Sequence, residues 1–218
     1  MARLKQNNKY YFSVEGDTEK WYLEHLQKLI NDCADATCTV KINVKIEKNP
    51  VKMVKALTVS GKTTIWHLSD YESDEPVHTQ AFIETMDNLK ASQKMGKQVK
   101  YMFGYSNLSF DLWIVLHKAN CNGHLAHRSH YLTHINRAFG EAFLDMDAYK
   151  TRDNFNRCLD KITLSDVQQA IERAKTIMET NASNGYTKHE YKGYYYYKEN
   201  PSLEIWQAIE NILKDCGI

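Results

Sequence analysis

Four short apolar runs alternate with helical patterns in the first half of the chain. The runs are rich in β-branched and aromatic residues and have strand length; they occupy residues 9–14, 39–46, 63–68 and 99–105. The segments between them repeat apolar residues at helical spacing, and they occupy residues 19–31, 50–60 and 77–95. Strands that alternate with helical crossovers of this length are typical of parallel sheets. The pattern therefore predicts a doubly wound α/β core over residues 1–118.

A few residues with strong local preferences set the predicted ends of these elements. Thr18 is the expected N-cap of the first helix, and Asn49, which precedes a proline, opens the second. Gly61 marks the end of the second helix, Pro76 starts the third and Gly96 stops it. The second apolar run alternates strictly between apolar and polar residues, which favours a half-buried strand at a sheet edge.

The second half of the chain is predicted to be mostly helical. A helix starts directly after the fourth strand, over residues 110–118, and start signals at residues 163–166 precede another. The Asn-Pro-Ser sequence at residues 200–202 is expected to cap a final amphipathic helix over residues 203–215. Because no low-complexity linker separates the halves, residues 119–218 are expected to form a helical elaboration packed on the same domain.

Composition and charge narrow the choice of protein class only slightly. The 28 lysines and arginines nearly balance the 27 aspartates and glutamates, so there is no global attraction to nucleic acid, although a local basic face stays possible. The five cysteines are scattered and form no C-x-x-C pair, which argues against a disulfide framework and a structural zinc site. No apolar run reaches the length of a signal peptide core or a membrane span. We therefore expect a soluble, cytoplasmic protein with no membrane partner.

Carboxylates follow three of the four predicted strands. Glu15 follows the first strand and Glu19 lies in the first turn of the next helix. Asp70 and Glu72 end the third strand at alternate positions, so both can point the same way, and Asp111 follows the fourth. The ends of parallel strands meet at one edge, where like charges repel unless a cation lies between them. Together these acids predict a site for Mg²⁺ or Mn²⁺, although each alone is also explained as a cap or a solvated turn residue.

Four segments carry a resemblance to known families. VEGDTEKWYLEHL is similar to the first motif of Toprim domains, in which a Glu-Gly pair ends the first strand, and SDYESD lies where those domains have an Asp-x-Asp motif. SNLSFDLWIVLH resembles the Ser-Asn-Pro-x-Phe-Glu-Leu-Trp-x-Leu-x-His signature of the RloB-like (AbiLii-like) proteins, a bacterial defence-associated branch near the Toprim nucleases of the OLD type. NPSLEIWQAIENIL is similar to that family's closing helix. The resemblance spans nearly the whole chain and implies a Toprim-like, Rossmann-like fold with a mainly parallel sheet of about four strands flanked by helices.

The resemblance implies a role for each acid of the first two motifs. Glu15 matches the Toprim glutamate, which is a metal ligand and a general acid or base, and Glu19 would help to hold a second metal. Asp70 matches the first acid of Asp-x-Asp, whereas Glu72 stands where the family has its second aspartate. The longer Glu72 side chain would either keep the ligand set with shifted geometry or displace the metal.

The third motif departs from the family pattern at two positions. Leu108 replaces a proline, and Asp111 replaces a glutamate. Asp111 is therefore either a metal ligand or an acid favoured by the dipole of the following helix. Ser106 and Asn107 would line the site with polar groups. Lys150, in a segment similar to the family's Tyr-x-Lys, is a candidate catalytic cation, and the alternative is a solvated surface lysine.

Two further segments allow more than one interpretation. Four histidines between His124 and His134 recur at near-helical spacing, but no cysteine or carboxylate completes a zinc site, which favours a structural role. Residues 186–198 interleave tyrosines, including Tyr191 and Tyr194–Tyr197, with lysines, a composition suited to stacking on bases. A β-ribbon packed on the body of the protein is the favoured explanation.

These patterns lead to two alternative functions. The first is a Toprim-type nuclease that uses Mg²⁺ or Mn²⁺ to hydrolyse phosphodiester bonds of DNA or tRNA in anti-phage defence by abortive infection. The second is a non-catalytic nucleic-acid-binding or scaffold subunit, which the departures at Glu72 and Asp111 favour. Related defence effectors make a partner subunit and a homodimer plausible. A nucleotide-binding phosphotransferase is disfavoured because no glycine-rich loop follows the first strand.

Overall fold

The computed structural model describes residues 5–59 and 61–218 and contains a central parallel sheet. Its strands are β1 (Gln6–Val14), β2 (Cys38–Ile46), β3 (Thr63–Tyr71) and β4 (Val99–Asn107). All the strand pairs of this sheet are parallel, and the order across it is β2-β1-β3-β4. The α/β fold with a parallel four-stranded sheet flanked by helices is therefore confirmed, as is the position of β2 at an edge.

Helices connect the strands and make up most of the second half. The first half contains α1 (Asp17–Asp32), α2 (Pro50–Ala56) and α3 (Pro76–Ser92), and α4 (Asp111–Leu116) follows β4. The second half contains α5 (Tyr131–Phe139), α6 (Met146–Tyr149), α7 (Arg152–Leu159), α8 (Leu164–Ser183) and α9 (Ile205–Asp215). A 3₁₀ turn at Arg128–His130 precedes α5, and a short hairpin of β5 (His189–Tyr191) and β6 (Tyr194–Tyr196) precedes α9.

Several predicted helix ends are wrong. The first helix begins at Asp17 with Gly16 as its N-cap, so Thr18 lies inside it. The second helix ends at Ala56, before Gly61, and residue 60 of the predicted segment lies outside the described residues. The third helix ends at Ser92, three residues before its predicted end. Near the carboxyl terminus, residues 200–202 do not cap α9, which starts at Ile205 after Glu204.

Other capping predictions are confirmed. The Asn49 side chain accepts hydrogen bonds from the backbone N–H groups of Val51 and Lys52, which satisfies donors that the first turn of α2 leaves free. Thr163 and Asp166 form a reciprocal capping box at the start of α8. These capping interactions determine where α2 and α8 begin.

The sheet separates two apolar cores. One face packs Phe12, Val14 and Leu68 against α1 and the helices of the second half. The other face packs β3 and β4 against α2, α3 and Tyr196 of the hairpin. Full burial of a valine, leucine or phenylalanine side chain contributes about 1.5–3 kcal/mol to the free energy of unfolding, relative to the same side chain exposed to water. Residues 119–218 thus share a core with the sheet, while a domain division at residue 118 stays a prediction.

The segment before α9 binds the end of β4. The backbone N–H of Asn107 donates to the Ser202 carbonyl over 2.9 Å, and the N–H of Glu204 donates to the Tyr105 carbonyl over 2.9 Å. Gly104 allows the close approach, because a Cβ there would lie 3.2 Å from the Ile205 Cα. The helix then crosses the sheet face, and Cys216 at its other end accepts from the Thr37 N–H beside β2.

The tyrosine-rich segment is a β-ribbon packed on the protein, as favoured from the sequence. The Tyr196 ring contacts that of Phe82 edge-on, with centroids 5.1 Å apart, and the Tyr191 hydroxyl donates to Asp87 of α3 over 3.1 Å. Tyr195 faces outwards and is 45% exposed. The ribbon therefore uses alternate tyrosines for packing.

The five cysteines are all free thiols. This agrees with the absence of a disulfide framework expected from their spacing. In the part of the chain that the structure describes, no helix is both long and apolar enough to cross a bilayer.

Candidate active site at the carboxyl edge of the sheet

Four carboxylates from separate elements gather at one edge of the sheet, and we call this group the acidic site. Glu15 directly follows β1, Glu19 lies in the first turn of α1, Asp70 lies near the end of β3 and Asp111 begins α4. Their positions follow from the parallel topology, which places the ends of all four strands on the same side. The grouping predicted from the sequence is therefore present in the structure.

Glu15 is held by a neighbouring strand. Its Oε1 accepts a short 2.5 Å hydrogen bond from the Ser69 hydroxyl of β3. Burial raises the pKa of Glu15, the Ser69 hydrogen bond opposes the rise, and the charge of Glu19 adds to it. The pKa of Glu15 is therefore set by burial, by a hydrogen-bond donor and by a nearby acid. A general acid or base needs a pKa that its surroundings adjust in this way.

Glu19 lies deeper in the site and is only 5% exposed. Its Oε2 accepts from the Thr18 hydroxyl over 2.8 Å, so Thr18 contacts this acid and does not cap the helix. Burial raises the pKa of Glu19; hydrogen bonds from its own backbone N–H and from Thr18, together with the charge of Lys150, oppose the rise, and the charge of Asp111 reinforces it. Because burial outweighs these contacts, Glu19 favours a proton or a nearby cation.

The proton affinity of Asp70 is raised by its burial and by the neighbouring acids. Burial raises its pKa well above the usual value, and the charges of Glu19, Glu15 and Asp111 raise it further, while Lys150 lowers it. These influences show that the four carboxylates are electrostatic neighbours. Positive charge placed among them would relieve the repulsion.

Asp111 and Lys150 form an ion pair at the bottom of the site. The Lys150 Nζ lies 3.0 Å from Asp111 Oδ2, which also accepts from the Ser109 hydroxyl over 2.8 Å. Asp111 is 1% exposed, and its Oδ1 has no hydrogen-bond partner. Burial alone would lower the pKa of Lys150, but the charges of Asp111, Asp70 and Glu19 outweigh it and raise the pKa. Lys150 therefore borders the acidic site as the ion-pair partner of Asp111, while its catalytic role stays a prediction.

Glu72 pairs with basic side chains that lie outside the acidic site. Its Oε2 lies 3.1 Å from an Arg128 guanidinium nitrogen and 3.5 Å from His78 Nε2. The sequence predicted that the side chains of Glu72 and Asp70 point the same way, and this is only partly met. The charge of Glu72 still raises the pKa of Glu15. Its carboxylate, however, pairs with Arg128 in the turn before α5.

Ser106 and Asn107 are buried at the end of β4, opposite Asp70 and Tyr71 in register. The Asn107 amide nitrogen contacts three successive carbonyls of residues 197–199, at 3.4, 2.7 and 3.2 Å. We call residues 197–200 the strap. Ser106 Oγ and Asn107 Oδ1 have no hydrogen-bond partner. Asn107 therefore positions the strap, and only its oxygen stays free to line a site.

The donor chemistry of the acidic site fits a divalent ion, although no binding geometry is preformed. Within residues 5–59 and 61–218, no three His, Cys, Asp or Glu side chains are arranged to hold a metal ion. The donors described above are carboxylate and hydroxyl oxygens, which Mg²⁺ and Mn²⁺ prefer. The unpartnered Asp111 Oδ1 and the raised pKa of Asp70 both indicate missing positive charge. The carboxylates would have to move closer together to bind an ion.

Three side chains of the site escaped sequence reasoning. Ser69 donates to Glu15, Ser109 donates to Asp111, and the buried Tyr149 hydroxyl lies close enough to Asp111 for its charge to raise the pKa of the phenol. Ser69 faces Glu15 because β1 and β3 pair Ser13 with His67, two residues earlier on each strand. Only the register reveals that contact, and no sequence motif marks it.

The histidine segment contributes no metal site. His124, His127, His130 and His134 belong to no metal-holding group in the described ranges. His127 instead accepts a hydrogen bond from the Ser129 N–H at the start of the 3₁₀ turn.

The hydrogen bond from Ser69 sets up a testable pH effect. Because this bond lowers the pKa of Glu15, Ser69→Ala should raise that pKa and move the acidic limb of any activity profile to higher pH. Activity at about pH 6 should then fall several-fold more than activity at about pH 8. Ser92→Ala, which removes another buried hydroxyl whose partner is the Leu89 carbonyl, should leave the profile unchanged. A profile that is identical in Ser69→Ala and wild type would contradict a catalytic Glu15.

Comparison with known proteins identifies the family. No curated protein and no solved structure matches the chain. A family model described as RloB-like protein matches residues 10–212, which include the whole acidic site, the strap and most of α9. The chain therefore belongs to the RloB-like protein family.

Proposed function

We propose that the protein is a metal-dependent nuclease that hydrolyses phosphodiester bonds. The observation that carries the proposal is the acidic site, where four neighbouring carboxylates lie near two lysines, Lys48 and Lys150, and where a buried oxygen of Asp111 has no partner. Uncompensated buried carboxylates cost folding free energy, so their accumulation at a strand-end edge favours a site that binds cations. The Toprim resemblance of the Glu15 and Asp70 segments supports the same activity.

Glu15, Glu19, Asp70 and Asp111 would hold the divalent ions, which when bound would stabilise negative charge on phosphate oxygens and lower the pKa of water. Glu15, which has a raised pKa and a Ser69 donor, is suited to accept or release a proton during the reaction. Lys150 keeps its charge among these acids and is partly exposed, so it can contact a phosphate while it remains near Asp111.

The biological setting of the proposal comes from the family resemblance. We propose that the nuclease acts in bacterial anti-phage defence by abortive infection and that its substrate is DNA or tRNA. A defence-system partner subunit and a homodimer are parts of the same proposal, as is a cytoplasmic location.

A non-catalytic scaffold is the second candidate, and two contacts favour it. Arg128 and His78 occupy the Glu72 carboxylate, and Lys150 already neutralises part of the charge on Asp111. A protein in which side chains replace the ions would bind nucleic acid or a partner without cleaving it. Metal-dependent cleavage separates the two candidates.

The decisive experiment incubates the protein with plasmid, single-stranded DNA and tRNA in Mg²⁺, Mn²⁺ or EDTA. We expect cleavage in the presence of metal, none in EDTA, and none with Glu15→Gln. Glu75→Gln, which removes an exposed acid at the start of α3, should cleave like the wild type. Cleavage that survives Glu15→Gln would rule out this site, and failure of the wild type to cleave any substrate would favour the scaffold.

A further inference from the structure

A pocket of about 730 Å³ lies outside the acidic site. One side is the beginning of α3, including Thr79 and Gln80, and the other is the strap. Tyr186 and His124 also line it. Pockets that enclose small organic groups have volumes of roughly 300–1,000 Å³, so this one is large enough for a nucleoside.

The wall formed by the strap is held in place from two directions. Asn107, at the end of β4, contacts its carbonyls, as described above. On the other side, the Asn200 side chain accepts from the Leu125 N–H over 2.8 Å and donates to the Leu125 carbonyl over 3.1 Å. A wall fixed in this way is organised before a ligand binds, which lowers the entropic cost of binding.

The pocket lining combines an aromatic ring, hydrogen-bond acceptors and basic side chains. Tyr186 is 41% exposed, so its ring is accessible for stacking on a base. Asp74 and Glu199 bring carboxylates, and Glu199 Oε2 is buried without a hydrogen-bond partner. Lys198 and His124 bring basic groups. A stacking surface together with hydrogen-bond acceptors and a phosphate-binding cation is the set of groups that recognises a nucleotide.

The pocket is also within reach of a strand bound at the acidic site. Asp74 lines the pocket and follows Asp70 by four residues, so their Cα atoms are at most about 14 Å apart. The nearly balanced charge of the chain does not favour binding that depends on many phosphate contacts along a duplex. Binding of a single strand through stacking of its unpaired bases needs less positive charge on the protein, because each base presents an aromatic face to a side chain.

We infer that this pocket binds one unpaired base of a single-stranded nucleic acid and prefers bases that carry an amino group. The inference rests on the proposed nuclease function, since the strand bound here would be the one presented to the acidic site. Tyr186 stacks on the base, and the Glu199 and Asp74 carboxylates accept hydrogen bonds from an amino group. Thymine and uracil carry no amino group and offer only their N3–H as a donor, so they satisfy fewer of the carboxylate oxygens, of which Asp74 Oδ1 already accepts from the Tyr71 hydroxyl over 2.6 Å.

Fluorescence anisotropy in Ca²⁺ tests the inference without cleavage. The probes are fluorescein-labelled oligo(dC), oligo(dT) and a matched duplex. We expect oligo(dC) to bind more tightly than oligo(dT), and both more tightly than the duplex. Tyr186→Ala should weaken oligo(dC) binding about 10-fold, whereas Tyr186→Phe should keep it, because stacking needs only the ring. Tyr195→Ala, which removes a similarly exposed tyrosine of the hairpin, should change nothing.

A second substitution addresses base preference. Glu199→Gln replaces an acceptor-only carboxylate with an amide that also donates, so the preference for oligo(dC) over oligo(dT) should shrink towards equality. Equal binding of duplex and single strands, or wild-type affinity of Tyr186→Ala for oligo(dC), would overturn the inference. So would failure of the wild type to bind any of the probes.

The two proposals fail in distinguishable ways. Hydrolysis of bis(p-nitrophenyl) phosphate in Mn²⁺ reports on the acidic site alone, because this substrate has no base. If Glu15→Gln abolishes that hydrolysis while Tyr186→Ala leaves oligo(dC) binding unchanged, only the base pocket is wrong. If oligo(dC) binds through Tyr186 but no diester is hydrolysed, the nuclease proposal is wrong and the pocket stands.

Discussion

Asp70→Asn should make the metal-free protein more stable while it removes the activity. Burial and three neighbouring carboxylates raise the pKa of Asp70, so its ionisation in the folded protein costs folding free energy. The isosteric amide removes that charge, and we expect the free energy of unfolding to increase by about 1 kcal/mol. Loss of a ligand should lower metal-dependent cleavage by at least about 100-fold. Urea denaturation in EDTA and a cleavage assay in Mn²⁺ measure the two effects.

The sign of the stability effect can be checked against pH. A carboxyl group whose pKa is raised in the folded state destabilises the fold fully above that pKa, and the cost shrinks as the pH falls below it until it is gone below the ordinary pKa of an aspartate. The advantage of Asp70→Asn should therefore be largest at neutral pH and shrink towards acidic pH. Mn²⁺ should raise the melting temperature of the wild type but not that of the variant. A variant that is less stable than wild type at neutral pH would contradict the electrostatic description of the site.

Lys150→Met should have the opposite effect on stability and also abolish cleavage. Its ammonium group pairs with the buried Asp111 carboxylate, and its loss leaves Asp111, Asp70 and Glu19 with less compensation. Because the Lys150 side chain is 38% exposed, water screens part of the effect, and we expect a loss of about 1–2 kcal/mol. Removal of a cation that contacts the phosphate should lower cleavage by about 100-fold.

A second ion pair provides the matched control for Lys150. Lys118 pairs with Asp166 at 2.7 Å and is also partly buried, but this pair lies at the start of α8. Lys118→Met should destabilise the fold by a similar amount and leave cleavage per folded molecule unchanged. Adding Asp111→Asn to Lys150→Met should recover stability but not activity. Full activity in Lys150→Met would show that the lysine only neutralises Asp111.

The sequence was sufficient to predict the fold class and the grouping of the acids at one sheet edge. Both predictions rest on patterns within short segments of the chain. Apolar runs and helix start signals locate strands and helices, and parallel topology then places Glu15, Asp70 and Asp111 at one edge. Helix ends were less predictable. Thr18 has the side chain of an N-cap, yet Gly16 takes that position and the Thr18 hydroxyl contacts Glu19.

Contacts between distant segments were outside the reach of sequence reasoning. The pairing of Glu72 with Arg128 depends on a turn 56 residues away, and the contact between Ser69 and Glu15 depends on strand register. The segments around Asn107 and Asn200, which both resemble motifs of the family, also lie next to each other. The Asn107 side chain donates to the Lys198 carbonyl of the strap, and the Asn107 N–H donates to the Ser202 carbonyl. Periodicity and capping rules describe each segment alone, so they do not show which segments meet.

The path of α9 has a consequence for how the sheet unfolds. The segment before this helix hydrogen-bonds to the end of β4, and the other end of the helix hydrogen-bonds to Thr37 beside β2, so its contacts extend across the sheet from β4 to β2. The helix also belongs to the apolar core on that face of the sheet. We therefore expect α9 and the sheet to unfold as one cooperative unit.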